Sequence, residues 1–189
     1  MTDKNYREIE ARFLEVDKGK LIKKLTGLGA EDKGEELLKE LIFYDKSLRW
    51  QYEEKKFVRI RQTKEGIFLA FKHNQEAIAD GTEELEFKID NFEKARQFLK
   101  EIGLIEYREQ EKKRHKFILN NVTLDIDTWP TVPTYVELEG SSEKDLKAVA
   151  KLLNLDWSNV VFEAPRYIIE IRYNIPFSRL KKFTFGKIE

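Results

Sequence analysis

The chain has no cysteine, which excludes disulfides and thiolate metal sites. Its two histidines are too few for a histidine-based zinc centre. Any metal would be held by oxygen ligands, which points to magnesium, manganese or calcium. Neither sign of charge is in excess: 35 Lys plus Arg stand against 35 Asp plus Glu, so no broad field exists to draw in a nucleic-acid polymer or a membrane surface. An anionic ligand would have to be attracted by local arrangement. No apolar run approaches the roughly 18 residues a membrane span needs, no secretory signal precedes Tyr6, and a cytoplasmic location is the expectation. Linkers and low-complexity tracts are also lacking. The 189 residues are therefore expected as a single domain, with a core over about 6–175 and a C-terminal tail over 176–189.

What the chain does have is alternation. In YREIEARFLEVD, residues 6–17, Glu8, Glu10 and Arg12 fall on one face of a strand, and Ile9, Ala11 and Phe13 on the other. Such a charged row is either the wet face of an ordinary sheet or the lining of a polar cavity. Leu21, Ile22, Leu25 and Leu28 then recur at helical spacing, with Gly29 as a stop. The same succession of strand and amphipathic helix returns twice. Glu84 and Glu86 precede a helix carrying Phe92, Ala95, Phe98, Leu99 and Ile102 that stops at Gly103, and Glu137 and Glu139 precede a Ser142 cap and a helix carrying Leu146, Val149, Ala150 and Leu153.

Shorter strands lie between these units. KKFVRIRQT and IFLAFKH flank a Lys64-Glu65-Gly66 turn, EKKRHKFIL and VTLDIDTW flank Asn120-Asn121, and RYIIEIRYNI is expected as a last strand ended by Pro176. The count is about eight strands and three helices. That set suits an open sheet with one wet face, or a closed antiparallel barrel with a polar interior and helices outside, where about eight strands can enclose a small ligand. The kind of charge favours the barrel. Glu-x-Glu-x-Arg, Arg-x-Arg, Glu-x-Glu, Lys-x-Arg, Asp-x-Asp and Glu-x-Glu follow in order, whereas a solvent face usually mixes Thr, Ser, Gln and Lys. For any single pair, a solvated strand face is the commoner explanation. His73 and His115 adjoin Lys72 and Arg114 in sequence and so face the opposite side, as surface or wall residues. Trp129 and Trp157 read as packing, with an aromatic at a tunnel mouth able to stack on a base.

The ordered pairs resemble the CYTH superfamily, the triphosphate tunnel fold of class IV adenylate cyclases and thiamine triphosphatases. The likeness rests on Glu8-x-Glu10-x-Arg12, Arg59-x-Arg61, Lys72, Glu84-x-Glu86, Lys112-x-Arg114, and Asp127 ten residues before Glu137-x-Glu139. The phrase LDIDTWPTVPTYVELEG looks most like proteins grouped with class IV adenylate cyclases. The resemblance implies an α+β fold: a closed antiparallel eight-stranded β-barrel with a charged lumen and helices packed outside. It implies that Arg12, Arg59, Arg61, Lys72, Lys112 and Arg114 bind phosphate, with Lys72 and Lys112 as catalytic candidates. It implies Mg2+ or Mn2+ on Glu8, Glu10, Asp127, Glu137 and Glu139, with Glu84, Glu86 and Asp125 as further lumen residues; Asp125 could equally pair with a cation on a neighbouring strand. The partner implied is a small-molecule triphosphate, ATP or another organic triphosphate, with no nucleic-acid polymer and no membrane, and with room left for a homodimer. The reaction implied is cyclisation of ATP to cyclic AMP and pyrophosphate; the alternatives are a triphosphatase acting on thiamine triphosphate, a nucleoside triphosphate or tripolyphosphate, and a module that binds a phosphorylated ligand without turnover. Arg12 stands where the family pattern has Lys. A guanidinium neutralises phosphate but does not act as a base near neutral pH.

Overall fold

The computed structural model describes residues 7–79 and 81–189. Eight strands form the body: β1 (Arg7–Phe13), β2 (Glu31–Asp45), β3 (Lys56–Thr63), β4 (Gly66–Asn74), β5 (Thr82–Ile89), β6 (Leu104–Leu119), β7 (Val122–Thr128) and β8 (Tyr135–Gly140). They run in the spatial order β2-β3-β4-β5-β1-β8-β7-β6, and β2 pairs antiparallel with β6 from Glu31↔Ile118 to Asp45↔Leu104, closing the sheet into a barrel. Closure removes both free edges. A ninth strand, β9 (Lys182–Phe183), adds parallel to β6. Among the described residues no helix is long and apolar enough to cross a membrane.

The three strand-to-helix units form as their patterns predict. Helix α1 (Lys18–Gly27) starts on Asp17, whose side chain accepts from the Lys20 N–H, and the chain leaves it through Gly29 at φ +75°. Helix α2 (Phe92–Glu101) is capped by Asn91, and α3 (Glu143–Leu153) by Ser142, each accepting an orphan N–H of the first turn. Helices α1 and α3 cover one side of the barrel, where Leu21, Leu25, Leu146, Val149 and Leu153 pack on Ala11, Phe13, Leu124, Ile126, Val136 and Leu138. Helix α2 covers another side through Leu99, beside Leu41, Phe43, Val58 and Ile60. Apolar side chains thus face outward to the helices, and the charged alternates have only the barrel interior left. Asn120 and Asn121 take φ +52° and +61° and make the tight β6–β7 turn.

Two sequence expectations fail, and they offset one another in the strand count. The segment RYIIEIRYNI is not a strand: α4 (Pro165–Tyr167) opens a helical segment that continues as a π-helix over Ile168–Arg172. Pro165 sits in the first turn, where a missing N–H is harmless, and Ile168 and Ile169 are both buried. Conversely, residues 31–45 form a 15-residue strand that the sequence reading passed over. Its outer half is exposed on both faces and its inner half buried on both, so period-two alternation is weak there. β6 likewise begins at Leu104, ahead of the expected start at Glu111. The segment 176–189 packs on the barrel through Phe177 and Phe183, both buried against Trp129 and Tyr135.

Candidate active site

The lumen is a cavity of about 650 Å3, within the roughly 300–1,000 Å3 of small-molecule sites. Thirteen of the expected site residues line it: Glu8, Glu10, Arg12, Arg59, Arg61, Lys72, Glu84, Glu86, Lys112, Arg114, Asp125, Glu137 and Glu139. Asp127, the remaining one, lies behind the lining and is fully buried. Eleven Lys and Arg and ten Asp and Glu share the wall, so the cavity is close to neutral.

The strand ladders dictate who meets whom. Arg12 on β1 lies opposite Glu137 on β8, and Glu10 lies opposite Glu139. Arg12 donates from Nε to Glu137 at 2.7 Å and from Nη1 to the Glu163 carbonyl at 3.2 Å, while Nη2 reaches Glu10 at 2.7 Å. Lys72 bridges Glu8 at 2.9 Å and Glu84 at 2.5 Å. Arg59 donates from Nη2 to Glu84 at 2.8 Å and to Glu86 at 2.9 Å. Arg114 grips Asp127 with Nε at 2.7 Å and Nη2 at 2.6 Å, and also contacts Asp125. Lys112 donates to Asp127 at 2.7 Å. Both oxygens of Asp127 are therefore engaged by Lys112 and Arg114.

Among the lumen residues that escaped the sequence reading are Glu40, Arg108 and Gln110. Glu40 on β2 accepts from Arg61 at 2.7 Å and from Gln110 at 2.6 Å. Gln110 and Arg108 precede the Lys112-x-Arg114 pair on β6 at the same period-two spacing. That spacing was the available signal, and extending the charged row back two steps from Lys112 would have found them.

Electrostatics divides the carboxyls into two sets. Burial alone would raise Glu137, but Arg12, Arg114 and Lys112 outweigh it and hold the carboxyl below the ordinary range; Glu40 is held low in the same way by Arg61, Arg59 and Lys112. Burial raises Glu8 despite Lys72, helped by a hydrogen bond with Glu84. Asp125 is raised by burial, and its Oδ1 has no hydrogen-bond partner. Glu139, exposed at the mouth yet hemmed in by the wall, is raised by desolvation and then by the charge of Glu137. Among the cations, Lys72 is held above its usual value by Glu84 and Glu8 against the effect of burial, whereas burial and then Arg114 lower Lys112.

No three Asp, Glu or His side chains among the described residues converge as a ready-made metal cluster, because most lumen carboxylates are turned to cations. The donor set nevertheless fits a hard divalent cation. Burial raises Glu8, Asp125 and Glu139, Asp125 has an oxygen without a hydrogen-bond partner, and all are oxygen donors. The two histidines stand outside: His73 lies 3.5 Å from Glu83, and His115 lies 2.7 Å from Asp32 and stacks on Phe117.

Comparison with known proteins identifies a family and shared folds. The family model described as CYTH domain matches residues 6–159. The chain is 27% identical over 166 residues to the Methanocaldococcus jannaschii protein named "Putative adenylate cyclase MJ0240", covering 82% of this chain and 93% of that protein. Among solved structures, a Vibrio parahaemolyticus protein described as "a putative adenylate cyclase" superposes with TM-score 0.72 at 16% identity, covering 87% of this chain and 98% of its own. A Hippeastrum protein, whose structure is described as revealing a dominant triphosphatase activity, superposes with TM-score 0.59 at 14% identity, covering 92% and 99%. These two structures share the fold.

Proposed function

The chain belongs to the CYTH domain family, and on that premise we propose that it is a metal-dependent enzyme acting on an organic triphosphate inside the tunnel, most simply by the class IV adenylate cyclase reaction. The observation that carries the reading is the enclosed lattice of arginines and carboxylates. Buried ion pairs contribute little net stability, so this density of them is better explained by a highly charged ligand. A triphosphate brings about four negative charges into a cavity whose wall is already near neutral, so added cations are required. Held by Glu8, Glu10, Glu137 and Glu139 with Asp125 at hand, magnesium or manganese would neutralise that charge and polarise phosphate oxygens.

The chain's own residues supply positioning and charge, which is most of what phosphoryl chemistry asks of a protein. Arg12, Arg59, Arg61 and Arg114 exchange their carboxylate partners for phosphate oxygens, which match the guanidinium fork. Lys72 remains charged and binds phosphate. Lys112 is the lysine that burial and then Arg114 shift downward from its usual value, which makes it the candidate to take the proton of the attacking hydroxyl. In the cyclase reaction the ribose 3'-oxygen bonds to the α-phosphorus, the α–β anhydride bond breaks, and pyrophosphate leaves.

Triphosphatase action is the second reading. Water would then attack the terminal phosphorus in the same cradle, and the activity stated for the Hippeastrum protein with this fold keeps it in view. The deciding experiment incubates the protein with magnesium or manganese and, separately, ATP, thiamine triphosphate or tripolyphosphate, with products resolved by chromatography and phosphorus NMR. Cyclic AMP with pyrophosphate supports the first reading and orthophosphate the second. Binding without product under every condition would overturn both.

A further inference from the structure

Five cations are buried among the described residues: Arg12, Arg59, Arg108, Lys112 and Arg114. Four of them lie within 4 Å of at least one carboxylate. Arg108 is the exception. Among the described residues its side chain meets no carboxylate: Nε donates to Gln110 Oε1 at 2.9 Å, Nη1 donates to the Phe177 carbonyl at 2.9 Å, the guanidinium carbon lies 3.9 Å from the centre of the Phe177 ring, and the Tyr44 hydroxyl is a further hydrogen-bond partner. Nη2 is not among the occluded polar atoms, and Arg108 lines the cavity. The guanidinium is thus held by neutral groups, with its charge unmatched at the lumen wall.

Removing a charge from water without a counter-ion is costly. Burial lowers the Arg108 guanidinium from its usual value, Tyr44 opposes that shift and the nearby charge of Arg166 adds to it. Its position is set locally: a register shift in the β2–β6 ladder falls between the pairs Ile42↔Arg108 and Phe43↔Glu106, so Tyr107 is the extra residue of a bulge. Tyr107 turns its hydroxyl to the Ser178 carbonyl at 2.7 Å, leaving Arg108 on the lumen face.

We infer that Arg108 is a phosphate-binding residue that engages the ligand without a metal ion. Resting on the triphosphate reading above, the inference adds an order of events. At Arg12, Arg59 and Arg114 a phosphate must displace a carboxylate, and the released carboxylate then needs a cation. At Arg108 there is no carboxylate to displace, so the guanidinium takes a phosphate oxygen directly and anchors the anion before the metal sites fill.

The test is calorimetric titration of tripolyphosphate into the full chain, in EDTA and in magnesium, comparing wild type with Arg108→Met. Wild type is expected to bind in EDTA, and Arg108→Met to lose roughly tenfold or more of that affinity while melting at or above the wild-type temperature, since an uncompensated buried charge has gone. Unchanged affinity in EDTA combined with a lower melting temperature would make Arg108 a latch for the 176–179 turn and overturn the inference. Wild-type binding in magnesium but not in EDTA would overturn it while leaving the proposed function standing; no binding in either would overturn both. If Arg108→Met does not fold, the side-chain Nε–H resonance of Arg108 in the wild-type protein decides: it should shift on adding tripolyphosphate in EDTA, and a resonance that stays put overturns the inference.

Discussion

Arg12 and Glu137 face each other directly across the β1–β8 ladder, with Nε and Nη2 of the guanidinium both 2.7 Å from one carboxylate oxygen. Both side chains are buried. The pair links the first charged residue row of the sequence to the last, 125 residues apart. Arg12→Ala leaves Glu137 with only the longer contact to Arg114 and is expected to destabilise the fold by about 3–5 kcal/mol, read by urea denaturation. A loss below about 1 kcal/mol would show that the pair is solvated in solution.

Arg59 touches Glu84, Glu86 and Glu40 from the middle of β3. Arg59→Ala should weaken triphosphate binding in magnesium by about 2–5 kcal/mol, the range for truncating one partner of a buried charge pair. Calorimetry measures this directly, and unchanged affinity would remove Arg59 from the cradle.

Metal dependence is expected to reside in the glutamates proposed to hold the cation. Glu139→Gln should raise the magnesium concentration required for turnover, and Glu8→Gln or Glu137→Gln should abolish turnover, with the far-ultraviolet circular dichroism of each variant unchanged. EDTA should abolish turnover in the wild type. Full activity in any of these variants would remove that residue from the metal set.

The pH dependence of stability follows from Glu40 and Glu137. Their carboxyls are held below the ordinary glutamate value of 4.5 because neighbouring arginines outweigh burial. As pH falls, the unfolded chain takes up these protons before the folded chain does, so the stability is fully present above that ordinary value and is lost below it. Melting temperature should fall steeply between about pH 5 and about pH 3. Glu40→Gln should be less stable at neutral pH and show a shallower fall. Parallel curves for wild type and variant would mean that Glu40 is not held low.

On the barrel exterior, Leu146 of α3 is fully buried in the main core cluster. Leu146→Ala should cost about 2–5 kcal/mol without changing triphosphate affinity, since no lumen side chain rests on it. A change in affinity would show that the helix layer and the cradle are mechanically coupled.

The sequence by itself determined the local pieces. Glu8-x-Glu10-x-Arg12 had to be a strand with one charged face, because charge and apolar residues alternate with period two. Ser142 reads as a helix cap because it offers an oxygen to the N–H groups that a first turn leaves unpaired, and Asp17 and Asn91 take the same place in the structure. The order of charged pairs along the chain, through the family resemblance it carries, was enough to expect a tunnel and to name fourteen lumen residues, thirteen of which line the cavity. Only the tertiary structure decided the rest. Closure depends on β2 meeting β6 about seventy residues later in the chain, and no local pattern specifies a pairing at that distance. That closure brings Glu40, Gln110 and Arg108 into the site. Asp127 reads in sequence like any other lumen carboxylate; the approach of Arg114 and Lys112 from the adjacent strand takes both of its oxygens and seals it behind the wall. The segment around Ile168 and Ile169 has strand-like composition, yet it enters a helical turn at Pro165 and buries both isoleucines. Local periodicity fixes which way a side chain points relative to its own strand, and the closed barrel fixes what it points at.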